Sequence, residues 1–284
     1  MAGLRILGDR VRHWAGQAYV AGPHLDHAVA LARRMTPQVA VSLGYRNVKG
    51  EDPARIATAY REAIDAAART GSCGVSVKLP PLEFDAALFG GIARKAADEQ
   101  VRLHVDAMAH EAAEATFAAI ARASTGAPIG VTLPGRWRRS RHDAATAVSM
   151  EWPVRVVKGE WIDPTASDLD PALGFLAVID ALGGARHVAV ATHDAALARE
   201  ALARLKASAT PCVLELLYGM PLAEPMRVAR GLGVPVRLYV PYGQPALPYA
   251  LSLRSGGTML ARGVRDLVRA RYHWRQWERH QARA

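Results

Sequence analysis

Apolar and polar positions follow two alternating rhythms along this chain. Short apolar runs rich in β-branched residues recur at Val39–Leu43, Gly74–Leu79, Val101–Ala107, Pro128–Leu133, Val154–Lys158, His187–Thr192, Cys212–Leu217 and Val236–Val240. Runs of this kind are the pattern of strands buried on both faces. Between them lie stretches of helical period, about Asp52–Thr70, Ala86–Glu99, Glu111–Ser124, a helix near Asp143, Pro171–Leu182, Ala195–Lys206 and Leu222–Leu232. Each is long enough for a right-handed crossover to a parallel neighbour. Residues 1–36 read as a helical lead-in, with the apolar Ala28–Ala32 run and Met35, and a helical tail follows from about Thr258.

Eight strand–helix units with no tight hairpin between any two predict an α/β fold, a (β/α)8 TIM-type barrel. An open doubly wound sheet is the alternative, but no GxGxxG follows the first strand to support it. The 284 residues suit one such barrel, for which about 250 is usual. No linker rich in Pro, Gly or Ser divides them, so residues 1–284 read as a single domain.

Composition narrows the partners. Half of the residues are apolar, which excludes a disordered chain, and the formal charge is +10, carried by 31 Arg and only five Lys. The densest basic cluster, Arg136-Trp137-Arg138-Arg139, is short, so nucleic-acid binding is not expected; an anionic cofactor, substrate or peripheral lipid surface fits the charge better. Cys73 and Cys212 lack metal or CxxC spacing and read as buried thiols of a cytoplasmic protein. No signal peptide or stretch of eighteen apolar residues is found.

In a parallel barrel the carboxyl ends of the strands converge on one mouth. Those positions carry Lys78, Asp106, Arg155, Lys158, Thr192, His193, Asp194, Glu215, Tyr218, Gly219, Tyr239 and Tyr242. Two of five lysines at strand ends is more than solvation alone produces, and points to a site. No nucleophile elbow occurs, and His104, Asp106 and His193 lack a specific metal-ligand spacing, so no metal is expected. Two chemistries stay open: a Schiff base on Lys78 or Lys158, or a phosphate-bearing cofactor held by Arg155, Lys158 and the Thr192-His193 pair before a helix.

Taken together, these segments resemble the proline dehydrogenase family, flavin-dependent (β/α)8 barrels that also form the first catalytic unit of bifunctional proline-oxidising enzymes. The likeness covers roughly residues 18–270. It rests on Val77-Lys78-Leu79, His104-Val105-Asp106, Arg155-Val156-Val157-Lys158-Gly159, Ala191-Thr192-His193-Asp194, Leu217-Tyr218-Gly219-Met220 and the run from Val236 to Gly243, in the family's order. The resemblance implies non-covalent FAD. It would place Arg155 by the flavin N5 edge, and Lys158, Thr192 and His193 on the ribityl-pyrophosphate. Gly159, Trp161, Glu215 and Tyr218 would lie around the cofactor. Lys78 and Asp106 would pair beside an amine substrate, and Tyr239 would pack on its ring. The implied reaction is hydride removal from the carbon next to a secondary amine, with a quinone or another acceptor reoxidising the flavin.

Two departures bear on the substrate and the flavin. The family's last helix reads YxxRRxxEN, its paired arginines holding the carboxylate of proline. Here Tyr249 keeps the aromatic, but Ser252 and Leu253 stand in the arginine positions, with Arg254 one residue late and Gly256 in place of the glutamate. A hydroxyl and an isobutyl group do not replace a bidentate clamp. The expected substrate is therefore a proline-like or modified cyclic amine; the alternatives are proline held by an arginine from elsewhere, or a catalytically silent barrel. Pro134, Glu160 and Glu215 also replace the family's glutamine, alanine and glutamine. Pro134 cannot donate to the isoalloxazine, which leaves the Arg136–Arg141 loop for the pyrimidine edge.

Overall fold

Local chemistry sets the helix starts. A computed structural model describes residues 16–36, 38–71, 73–123 and 128–245. The Asp-Pro pairs at 52–53 and 170–171 each begin a helix: the Asp52 carboxylate accepts from Ala54 N–H, and that of Asp170 from Ala172 and Leu173 N–H. Asp85 and Asp194 cap two more in the same way. Proline fits the first turn, where its missing N–H leaves no bond unmade. The helices are α1 (Leu25–Met35), α2 (Pro53–Thr70), α3 (Ala86–Asp98), α4 (Ala113–Arg122), α5 (Ser140–Ser149), α6 (Pro171–Asp180), α7 (Ala195–Ala207) and α8 (Ala223–Gly231).

The strands are β1 (Ala40–Arg46), β2 (Cys73–Val77), β3 (Arg102–Val105), β4 (Gly130–Pro134), β5 (Val154–Val157), β6 (Val188–Ala191), β7 (Cys212–Leu217) and β8 (Val236–Gly243). All pairings are parallel, and β1 closes on β8 to complete the barrel. The expected α/β barrel is therefore the fold, with two adjustments. β1 and β8 run on to Arg46 and Gly243, paired from Ala40–Arg237 to Arg46–Gly243, which carries their last side chains into the mouth. Of the helical lead-in, α1 is present, whereas Val20 is extended. Cys73 is buried, but Cys212 only partly, so the expectation of two buried thiols holds for one. The expected tail from Thr258 lies outside the described residues. No helix among the described residues is long and apolar enough to cross a membrane.

The two faces of each strand differ. Val41, Leu43, Val75, Val77, Val131, Leu133, Val154, Val156, Val188, Val190, Leu214, Leu216, Leu238 and Val240 belong to one buried apolar cluster, joined by helix residues such as Ile56, Ile64, Phe89, Phe175 and Leu202. By the two-residue period of a strand, their alternates face the lumen. Most of those alternates are small or polar, namely Ser42 and Gly44, Gly74 and Ser76, Thr132 and Ala189, with Arg155, Glu215, Arg237 and Tyr239; Val157, Val213 and Leu217 are apolar exceptions. Bonds between non-adjacent strands confirm the direction, because Arg155 of β5 can reach Ser76 of β2 only across the lumen. Where barrels are commonly filled by layers of branched apolar side chains, this one carries a polar column.

The apolar sleeve between helices and sheet holds the fold. Phe175 of α6 is fully buried in it. Phe175→Ala leaves a cavity there and is expected to lower unfolding free energy by about 3–5 kcal/mol, read from urea denaturation; a loss under about 1 kcal/mol would show that the sleeve collapses to fill the space.

Candidate active site

Arg155 organises the carboxyl-terminal mouth. It is only 4% exposed, yet its guanidinium reaches two carboxylates, with Nη1 at 2.5 Å from Asp106 Oδ1 and Nε at 2.6 Å from Glu215 Oε1. Nη1 also donates to Ser76 Oγ, which in turn donates to Asp106 Oδ1 at 2.8 Å. The other Asp106 oxygen accepts from Tyr239 Oη at 2.9 Å and lies 3.8 Å from Lys78 Nζ. Lys78 Nζ donates to the Tyr45 carbonyl at 2.9 Å, and its backbone N–H to Tyr60 Oη. On the far side Glu215 Oε2 takes Arg237 Nη1 at 3.2 Å. The Arg155 guanidinium lies 5.3 Å from the centre of the Tyr239 ring, within cation–π range.

Space for this cluster comes from a missing side chain. A Cβ on Gly44 would collide with the Tyr239 hydroxyl and ring, so glycine in β1 lets the phenol lie across the lumen to Asp106. Gly159, two residues past β5, sits at φ 98°, a left-handed conformation that glycine takes at little cost. A Cβ there would press on Pro134 and Arg136.

Burial and charge compete at every group. Burial pushes the Asp106 carboxyl up, but Arg155 and Lys78, with hydrogen bonds from Ser76 and Tyr239, more than offset it and hold it below the usual carboxylate range. Burial lowers Lys78, and Arg46 and Arg155 add to that, while Asp106 and Glu160 oppose. Burial raises Glu160, partly countered by Arg46 and Lys78. Burial and then the Asp106 charge raise the Tyr239 phenol well above its ordinary value.

Above this floor opens a cavity of about 480 Å³. Lys78, Asp106, Arg155, Tyr239, Gly159, Trp161, Thr192, His193 and Glu215, all expected from the sequence, border it together. Lys158 and Tyr218 stand outside this lining: Lys158 Nζ sits 3.2 Å from Asp194 Oδ2, and Tyr218 N–H donates to the Tyr239 carbonyl. Tyr249, Ser252, Leu253 and Arg254 lie outside the described residues. Both His193 nitrogens are engaged, with Nδ1 donating to the Pro221 carbonyl and Nε2 accepting from Leu217 N–H. Its ring thus ties the β6 end to β7, and burial lowers its basicity. Thr192 Oγ1 accepts from Asp194 N–H. Arg136 carries a buried Nε without a partner beside Gly159.

The sequence reading missed Ser76, Arg46 and Thr132. Ser76 precedes Lys78 by two, hence shares its face, and that spacing was the available signal. Arg46 was hidden by ending β1 three residues early. It borders the cavity and forms no ion pair among the described residues.

Comparison with known proteins enters on this geometry. No family profile matches the chain, and no curated protein sequence matches it. Solved structures do. Proline utilization A from Bdellovibrio bacteriovorus, inactivated by N-propargylglycine, superposes with a TM-score of 0.69 at 15% identity over 81% of this chain. A variant of proline utilization A from Bradyrhizobium japonicum gives 0.64 at 20% identity over 79%, and that from Corynebacterium freiburgense 0.66 at 14% over 94%. The fold matches that of the proline dehydrogenase family. The chain spans 31%, 28% and 32% of those three proteins' lengths, and at such identities the likeness concerns the fold.

Two outcomes check the electrostatics. Glu215→Gln leaves two buried guanidiniums without their shared carboxylate and is expected to cost about 3–5 kcal/mol of stability; a loss under about 1 kcal/mol would contradict the bridge. His104 donates to Thr132 Oγ1, whose proton goes to the Val105 carbonyl, and burial followed by Arg155 and Arg237 holds it well below 6.5. Below 6.5 the unfolded chain binds a proton that the folded chain does not, so this group makes stability fall as pH drops. His104→Gln should flatten that acid slope in pH-dependent melts; an unchanged slope would place the sensitivity elsewhere.

Proposed function

We propose that this chain is a flavin-dependent oxidoreductase that removes a hydride from the carbon next to a secondary amine, with a proline-like or modified cyclic amine as substrate. The observation that carries the reading is the Lys78–Asp106–Tyr239 cluster, braced by Arg155 at the catalytic mouth of a barrel shared with proline-utilization proteins. The donors at the ends of β4 to β6 fit an anionic flavin. Arg136 Nε is buried and unpartnered beside Gly159, and the Lys158 side chain is 42% exposed. Thr192 and Trp161 border the cavity and would meet the phosphate side and an outer wall of the flavin, while Arg136 and Lys158, which flank Gly159 behind that lining, would serve the pyrimidine edge that Pro134 cannot and the phosphates.

When bound, the flavin supplies the hydride acceptor, and a quinone or another acceptor reoxidises it. The chain supplies charge and position. Asp106, held ionised, fixes the Tyr239 hydroxyl and draws Lys78 toward the lumen. An ammonium has no lone pair to assist hydride loss, so its proton must leave first. Lys78 Nζ, made less basic by burial, holds a neutral form at lower pH than an ordinary lysine and takes that proton. Tyr239 presents its ring to the apolar part of the amine.

A second reading, proline itself, is favoured by Arg46, a cation on the cavity wall that forms no ion pair among the described residues. It would hold the carboxylate that Ser252 and Leu253 cannot.

Anaerobic reduction of the FAD-loaded protein by proline and by prolinamide separates them. Comparable bleaching by both supports the first reading. Bleaching by proline alone, lost in Arg46→Ala, supports the second, and no bleaching by any cyclic secondary amine contradicts both. Lys78→Met should slow reduction by about a hundredfold or more and abolish a rising pH limb that lies below the ordinary lysine value. An unchanged profile would remove Lys78 from the proton path.

A further inference from the structure

The opposite end of the barrel holds a second cavity, of about 500 Å³, at the amino ends of the strands. Its polar wall is cationic: Arg102 opens β3, Arg237 points down from β8, Arg186 and His187 precede β6, and Arg155 forms the roof. No Asp or Glu among the described residues borders it. Pro128, Pro153, Val101 and Leu103 supply an apolar remainder.

The charges do not cancel. Glu215 is shared between Arg237 and Arg155, and Arg155 also takes Asp106. Arg102 forms no ion pair among the described residues, and Arg186 has only Glu151 at 3.8 Å, on a half-exposed side chain. Arg237 keeps a buried Nε with no hydrogen-bond partner among the described residues. Guanidiniums that repel one another around a common space, with a donor left over, are matched by an oxyanion. We infer that this amino-terminal mouth is a binding site for a small organic anion, a carboxylate or phosphate group on a short apolar body, held by Arg102 and Arg237. The inference does not rest on the flavin reading, since none of its anchoring side chains borders the catalytic cavity.

His187 reports on the same space. Burial, and then Arg237 and Arg102, lower it from 6.5 to about 4, with Glu215 opposing. An anion between those guanidiniums relieves part of the repulsion, so the His187 titration moves up on binding.

The test uses the full-length protein at constant ionic strength, titrated with inorganic phosphate and separately with butyrate, following the His187 ring by NMR and the melting temperature. One or both anions should raise the melting temperature and shift the His187 titration upward. Phosphate alone assigns the site to phosphoryl ligands, and butyrate alone to carboxylates. Arg102→Gln should weaken binding at least about tenfold, while Arg227→Gln, on the exposed face of α8, leaves it unchanged. If Arg102→Gln does not fold, Arg102→Lys and Arg186→Gln serve, each expected to weaken binding less. Equal affinity in the variants and the parent chain, or a His187 titration that neither anion moves, would overturn the proposal.

Discussion

A guanidinium buried between two carboxylates is the constraint on which the rest of this structure depends. Arg155 joins Asp106 to Glu215 inside a closed sheet, where Glu215 is buried and Asp106 shows only its edge to the mouth cavity. Desolvating three charges is costly, and mutual attraction offsets it only when the geometry and the remaining hydrogen bonds are good. Ser76, Tyr239 and Arg237 supply those bonds. The lumen must then be roomy and polar, which explains Gly44, Gly74, Ser76 and Thr132 where branched apolar side chains would otherwise stand. With the lumen surrendered to charge, burial of apolar surface falls to the outer sleeve between sheet and helices.

That division of labour also decides what the sequence could reveal. The strands were legible because their outward residues, such as Val75 and Val77, repeat around small inward ones, such as Gly74 and Ser76, that do not break an apolar run. The helical-period stretches at Asp52 and Pro171 begin within a residue of the starts of α2 and α6, where Asp-Pro pairs cap the helices. The lumen bonds were not legible. Glu215 with Arg155, and Tyr239 with Asp106, join strands that are not neighbours, and no local pattern marks a partner 60 or 133 residues away. Arg46 escaped because β1 continues past Leu43 through Gly44, a residue that locally argues for a turn.

The strand-end residues first looked like candidates for several chemistries, and the geometry sorts them. Lys78 lies beside Asp106 among buried groups, where a proton can be taken and held. Lys158, by contrast, is half-exposed and paired with Asp194, without the burial that a Schiff-base lysine needs to lose its proton. His193 uses both nitrogens to tie β6 to β7, so its contribution to any ligand is the shape of the turn that presents Thr192. The two mouths share a septum, Arg155–Glu215–Arg237, so charge placed at either end is felt by the same guanidinium.

A flavin at the carboxyl-terminal mouth is the centre of the proposed function. Incubation with FAD, gel filtration and the visible spectrum of the protein peak test it most directly. The proposed function predicts retained flavin at one equivalent, with absorption bands shifted from those of the free cofactor, and reduced retention in Lys158→Ala. A colourless protein peak, with all of the FAD in the small-molecule fraction, would contradict it.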